Sequence, residues 1–390
     1  MTVKDAAQQR LQRSHQQLLE LSHRIHAHPE LGFEEEKACA WLCEALDAAG
    51  FRVRRGIADL PTAFVAEAGS GPVHVALCAE YDALPEIGHA CGHNLIAAMA
   101  LGAGLAAASV ADEAGLTVSV IGTPAEEVGD DGGKIRLLER GAFAGVNAAL
   151  MAHPAPLEAL EMNIIAASMF EIFYTGKEAH AAAFPERGIN AADALTLAQT
   201  AIGLLRQQLR STDRVHGIIT RGGAAPNVIP AHTAARYIVR AQDLLQLEEV
   251  RAKVLHCFEA GALATGAALE VRGGSKPYAD MRYDHPLSAA YRRNAEAAGR
   301  VFPDLPPDAA RAAGSTDMGN VSRLIPSIHP MIGINSLPAA NHQPEFTAHC
   351  ISPVADQAVL EGALALTWTA LDCAADVSLR AHLLSPPAPA

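Results

Sequence analysis

Three short runs, Val73–Ala79, Leu116–Ile121 and Ala148–Ala152, are almost wholly apolar, and segments of helical length lie between them. Side chains on a strand alternate between its two faces, so a strand can be apolar throughout only when both faces are covered. These runs therefore predict the central strands of a parallel sheet. The intervening segments Gly92–Ser109 and Gly133–Arg140 have crossover length. Right-handed crossovers then give an α/β fold with a mostly parallel central sheet flanked by helices. In such a sheet ligands gather beyond the carboxyl ends of the strands.

A different pattern follows. Strand-like Ser168–Thr175, helical Asn190–Arg210, strands Val215–Thr220 and Thr233–Ala241, helix Leu244–Thr265 and strand Ala268–Gly273 read as an inserted α+β domain of order β-α-β-β-α-β. The expected organisation is one domain from 1–166 and 280–390, interrupted by a second at 167–279. Pro303–Pro307 marks a loop, and the chain ends in a helix, Pro353–Cys373, and a proline-rich tail, Leu384–Ala390, read as disordered.

Composition narrows the partners. A net charge of −13 argues against binding a phosphate backbone and leaves small molecules as the expected partners. The uncharged stretch Leu95–Ala111 is mostly Ala and Gly, which favours a buried core helix over a membrane span. Seven cysteines without small-domain spacing, and no signal-like apolar stretch near Met1, point to a reducing, cytoplasmic location.

No phosphate loop, GxSxG elbow or HExxH helix is present, and the GxGxxA match at Gly102 lies inside a helical run rather than at a strand-to-helix turn. What remains is polar. Glu80-Tyr81-Asp82 follows the first apolar run, and HACGHN (89–94) opens the next helix. Glu126-Glu127 follows the second run and His153 the third. Cys91, His93, a glutamate and His153 are thus delivered to one sheet edge, a donor set suited to zinc, with manganese or cobalt as other options. A helix N-terminus at Gly92 is expected to lower the Cys91 pKa. Two adjacent carboxylates suggest that one ligates while the other moves a proton, which makes hydrolysis the reaction class.

EYDALP (80–85), HACGHN (89–94), PAEE (124–127), AHP (152–154), GKEAHAAAFP (176–185), PNVIP (226–230), GSTDMGN (314–320) and NHQPEF (341–346) together resemble the aminoacylase and carboxypeptidase superfamily of dinuclear-metal amidohydrolases. Within its auxin-conjugate and hippurate hydrolase branch, the blocks are most similar to aminoacylase-1-like dipeptidases and p-aminobenzoyl-glutamate hydrolases. The resemblance implies two divalent ions held by Cys91, His93, Glu127, His153 and His342, with Cys91 bridging. It implies Glu126 as the general base, working with metal-bound hydroxide on the amide of an N-acyl or aroyl amino acid or a small dipeptide with a free carboxylate. Asp82 and Asn94 are expected to support ligands from behind. His180 matches the histidine of a lid and dimerisation domain that stabilises the oxyanion in the partner subunit's site, so a homodimer is implied. Asn227 and Arg240 match residues facing substrate, Arg240 gripping its carboxylate. Two other readings stay open: a thiol hydrolase using Cys91 with His93 or His153, and a ligand-binding relative without turnover. Neither nucleic acid nor a membrane is expected as a partner.

Overall fold

The computed structural model describes residues 2–304 and 312–385. Part of the Pro303–Pro307 loop and most of the Leu384–Ala390 tail lie outside the described residues. The chain forms two compact units: Met1–Val128 with Gly132–Asn163 and Met281–Ala390, and Gly129–Asp131 with Ile164–Asp280.

The first unit opens with helix α1 (Val3–His26), started by a reciprocal cap in which the Thr2 hydroxyl accepts the Asp5 N–H and the Asp5 carboxylate accepts the Thr2 N–H. Helix α2 (Glu36–Ala48) and strands β1 (Arg52–Arg55), β2 (Phe64–Gly69) and β3 (Val73–Ala79) follow. Then come α3 (His93–Ala108), β4 (Leu116–Gly122), α4 (Gly133–Glu139), β5 (Ala148–Leu150) and β6 (His153–Ala155). The six-stranded sheet has the order β1-β2-β4-β3-β5 and then Ser327–Ile328. β4, β3, β5 and Ser327–Ile328 run parallel, while β1 and β2 are antiparallel additions at one edge. The expected mostly parallel sheet is therefore present. β1 escapes the hydropathy pattern because it is mostly exposed and charged.

Helix α3 is buried on every side from His93 to Ala107, as an alanine- and glycine-rich segment allows. The glycines of its GxGxxA match serve packing. A Cβ at Gly102 would lie 2.7 Å from Leu18 of α1, and one at Gly104 would lie 2.4 Å from Val120 of β4. Pro353–Ala375 is long and apolar enough to cross a membrane, yet it packs against α3 inside this unit.

The second unit contains β7 (Ala166–Thr175), α5 (Ala191–Leu205), β8 (Arg214–Arg221), β9 (His232–Ala241), α6 (Leu244–Thr265) and β10 (Ala268–Gly273). Its antiparallel sheet has the order β10-β7-β9-β8, the split β-α-β arrangement that the sequence predicts. Phe170, Tyr174, Tyr237 and Phe258 centre a core of its own.

Candidate metal centre

Because β3, β4 and β5 are parallel, their carboxyl ends lie on one edge, and each releases the chain there as polar loop. β3 leads to Glu80 and Asp82, β4 to Glu126 and Glu127, and β5 to His153. The turn that opens α3 adds Cys91 and His93. Ala125 (φ 57°) and His342 (φ 66°), both non-glycine, have left-handed backbone. That conformation is costly and persists where neighbours impose it. The Ala125 N–H donates to the Glu35 carboxylate at 2.8 Å, and the His342 N–H donates to the Ala90 carbonyl at 2.9 Å. A Cβ on Gly133 would lie 1.9 Å from the Pro124 carbonyl oxygen, so only glycine lets α4 approach the turn that carries the two glutamates.

Two groups of ligand atoms share one sulfur. Cys91, His93 and His153 form the first and Cys91, Glu127 and His342 the second, each with its atoms within 4.8 Å of one another. Cys91 Sγ lies 3.4 Å from His153 Nε2, and His342 Nε2 lies 3.2 Å from Glu127 Oε1. The imidazoles are held in ligand tautomers. His93 Nδ1 donates to Asp82 at 2.9 Å and His153 Nδ1 to the Pro154 carbonyl at 2.8 Å, which turns both Nε2 atoms to the centre. Asp82 also accepts the Glu127 N–H at 2.9 Å, so one carboxylate aligns two candidate ligands. His93 Nε2 is buried yet makes no hydrogen bond. Buried polar atoms are rarely left so. One sulfur, three imidazoles and a carboxylate oxygen fit a pair of divalent cations, one of which would satisfy it.

The two neighbouring glutamates are pushed apart. Burial, then the charges of Glu80, Glu127 and Asp317, hold Glu126 well above the usual carboxylate range. Burial acts on Glu127 too, but its bond to His342 and the charges of His342 and His93 outweigh it and bring its pKa to about 2. Burial lowers His153 to about 4, leaving it neutral at pH 7 as a ligand must be. Cys91 departs from expectation: burial, then the Glu127 carboxylate, push its thiol up, because desolvation exceeds any gain from the helix terminus. The Asn94 amide likewise donates to Ser22 and to the Cys350 carbonyl rather than to any candidate ligand, tying α3 to α1.

His180, Asn227 and Arg240 belong to the second unit. His180 Nδ1 accepts the N–H groups of Ala182 and Ala183, so the ring carries its proton on Nε2, as a donor. Asn227 is exposed, and Arg240 sits on β9 opposite Ala167 and Arg214.

Glu35, Glu80 and Lys134 carry weight here that periodicity does not reveal. Glu35 and Lys134 come from segments whose only local signal is helical. Glu80 does stand directly after β3, and that position is the one usable signal. Glu35 is fully buried. Burial, then the charge of Asp82, push its pKa from 4.5 to about 7. The folded protein thus binds this proton more readily than the unfolded chain, and stability present below about pH 4.5 is lost as pH rises toward 7. The isosteric Glu35→Gln variant is expected to be more stable than the parent at pH 8, by on the order of 2–3 kcal/mol, with the gap largely closed at pH 5. Thermal midpoints at the two pH values test this; a gap independent of pH would mean that Glu35 titrates normally.

Comparison with known proteins places these residues in a wider set. The model of peptidase family M20/M25/M40 matches residues 76–360. A mouse Xaa-Arg dipeptidase is 40% identical over 385 residues, covering 95% of this chain and 88% of the relative. A p-aminobenzoyl-glutamate hydrolase polypeptide of Escherichia coli is 34% identical over 278 residues, covering 66% of this chain and 57% of the relative. Among solved structures, a dinuclear metal binding peptidase of Bacillus subtilis shares the fold with a TM-score of 0.63 at 24% identity, covering 90% of this chain and 98% of that one.

Proposed function

The chain belongs to peptidase family M20/M25/M40 and is a hydrolase of peptide or amide bonds, and from that premise we propose that it cleaves N-acyl or aroyl amino acids or small dipeptides with a free carboxylate, using two divalent ions. The observation that carries this reading is the Cys91 sulfur shared by two ligand groups. Cys91, His93 and His153 would hold one ion, and Cys91, Glu127 and His342 the other. When bound, such ions polarise the scissile carbonyl and bring the pKa of water toward about 7.

The chain's own groups supply the rest. Glu126, in its carboxylate form, takes the proton of the attacking water, its surroundings raising its affinity for that proton, and returns it to the leaving amine nitrogen. Asp82 keeps the proton of His93 on Nδ1 and orients the Glu127 backbone. The Nε2 proton of His180 supports its assignment as an oxyanion donor, while Asn227 and Arg240 remain proposed substrate contacts, Arg240 toward the carboxylate. A cytoplasmic homodimer belongs to the same reading. All seven cysteines are free, and edge strand β8 exposes Ile218 and Ile219. The raised Cys91 thiol weighs against a thiolate nucleophile.

The test is chelation. Metal-free protein is expected to lose hydrolysis of a panel of N-acyl amino acids and dipeptides, including dipeptides ending in arginine, and manganese or zinc should restore it. Turnover that survives metal removal and is blocked by iodoacetamide would favour Cys91 as the nucleophile.

A further inference from the structure

Glu126 and Glu127 are neighbours in sequence, yet a carboxylate oxygen of each lies 3.9 Å from the same atom, His93 Nε2. In an extended chain successive side chains point to opposite sides. The backbone therefore has to turn at this pair, and the residue just before it, Ala125, is left-handed at φ 57°. An alanine in that conformation needs to be held there. The Glu35 carboxylate does the holding: Oε1 accepts the Ala125 N–H at 2.8 Å and the Phe33 N–H at 3.0 Å. Beyond Glu126, Asp82 accepts the Glu127 N–H at 2.9 Å, so two buried carboxylates grip the segment on either side of Glu126. The loop that carries Glu35 is arranged for this contact. Glu35 stands at the N-cap of α2 but gives that helix no side-chain bond. Glu30 caps it instead, its carboxylate accepting the Lys37 and Ala38 N–H groups at 3.0 Å, which leaves Glu35 for Ala125. The same loop lies against the turn, since a Cβ on Gly32 would stand 2.9 Å from Val128 Cγ1 and 3.1 Å from the Ala125 Cα.

We propose that Glu35 is a positioning residue for the hydrolytic reaction: through the Ala125 N–H it holds the left-handed turn that aims Glu126 at the attacking water. The proposal rests on the general-base reading of Glu126 above and extends it. Glu35 touches no reacting atom and acts through the backbone of the residue that precedes the base. Its effect therefore falls on how well the base is aimed, and a base must sit within hydrogen-bond reach of the proton it takes. Substrate binding does not depend on that aim, so the effect belongs to kcat rather than to KM.

Steady-state kinetics of the metal-loaded full chain test this, on a substrate that the parent hydrolyses. Glu35→Leu removes the acceptor at similar volume and is expected to lower kcat about 10- to 100-fold with KM unchanged, the size of loss that a misplacement of about 1 Å produces. Glu35→Gln keeps an acceptor oxygen for the Ala125 N–H and is expected to keep the parent kcat. Metal content of the same samples should match the parent, because Asp82 still holds the Glu127 N–H. In a Glu126→Gln background, Glu35→Leu is expected to cost no further activity, since both changes act through one group. Glu35→Met, which also lacks an oxygen, covers the case in which Glu35→Leu does not fold. A merely structural role would lower the thermal midpoint and leave the kcat of the folded enzyme at the parent value. That result overturns the assignment, as does a full further loss on top of Glu126→Gln. A fall in metal content would put the effect on Glu127 instead and overturns it too. If Glu126→Gln alone turns over like the parent, the general-base reading itself fails, and this proposal with it.

Discussion

Glu126→Gln is expected to lower kcat by about 10²–10⁴ while leaving metal content unchanged. The substitution keeps the volume and one acceptor oxygen, and Glu126 is not among the five residues of the two sulfur-sharing groups, so the centre should still load. What disappears is the ability to exchange a proton. The surroundings make that ability useful. Burial and the nearby carboxylates of Glu80, Glu127 and Asp317 raise the affinity of Glu126 for a proton, as a group that must accept one from water and deliver it to an amine requires. KM should change little, because the loss falls on the transition state rather than on ground-state binding. The measurement is steady-state kinetics on whichever member of the substrate panel the parent hydrolyses, paired with metal analysis of the same sample. Turnover near that of the parent would remove Glu126 from the reaction.

The second large effect falls on stability. Lys134, Glu80 and Asp317 are all fully buried, with one ammonium between two carboxylates. Burial works against the lysine's charge, but Asp317 and then Glu80 outweigh it and hold the ammonium well above its ordinary pKa. Lys134→Met fills similar space and leaves two buried carboxylates without their counter-ion. Removing one partner of a buried ion pair typically costs about 3–5 kcal/mol. Urea denaturation of the metal-free protein should show a loss of that size. Adding Asp317→Asn to Lys134→Met should recover part of it, because one of the stranded charges is then gone. A loss under about 1 kcal/mol, typical of exposed pairs, would mean that water reaches the triad and screens it.

Much of the framework follows from local pattern. Val73–Ala79 reads as a strand because only a doubly covered strand tolerates such an apolar run, and β3 has those bounds. Leu244–Thr265 reads as a helix from its 3.6-residue period, ends before Gly266 in left-handed conformation, and is one. Cys91, His93, Glu126, Glu127 and His153 were legible because each lies next to the end of a strand or the start of a helix that the pattern already marked. Glu35 was not, because its bond to Ala125 spans 90 residues and leaves no trace in either segment's hydropathy. Asp317 bonds Lys134 across 183 residues, and nothing in the order of amino acids near either position announces the pair.

By itself the amino-acid sequence determined the kinds of element, the parallel core and the edge at which chemistry would collect, since burial on one or two faces is written into nearest-neighbour periodicity. Tertiary packing alone decided the upward push on the Cys91 thiol, the bonding of the Asn94 amide to Ser22 and Cys350, and the convergence of Glu35 and Lys134 on the centre. Hydrogen bonds and desolvation depend on distances between segments far apart in the chain, and those distances exist only once the sheet and its loops have closed around them.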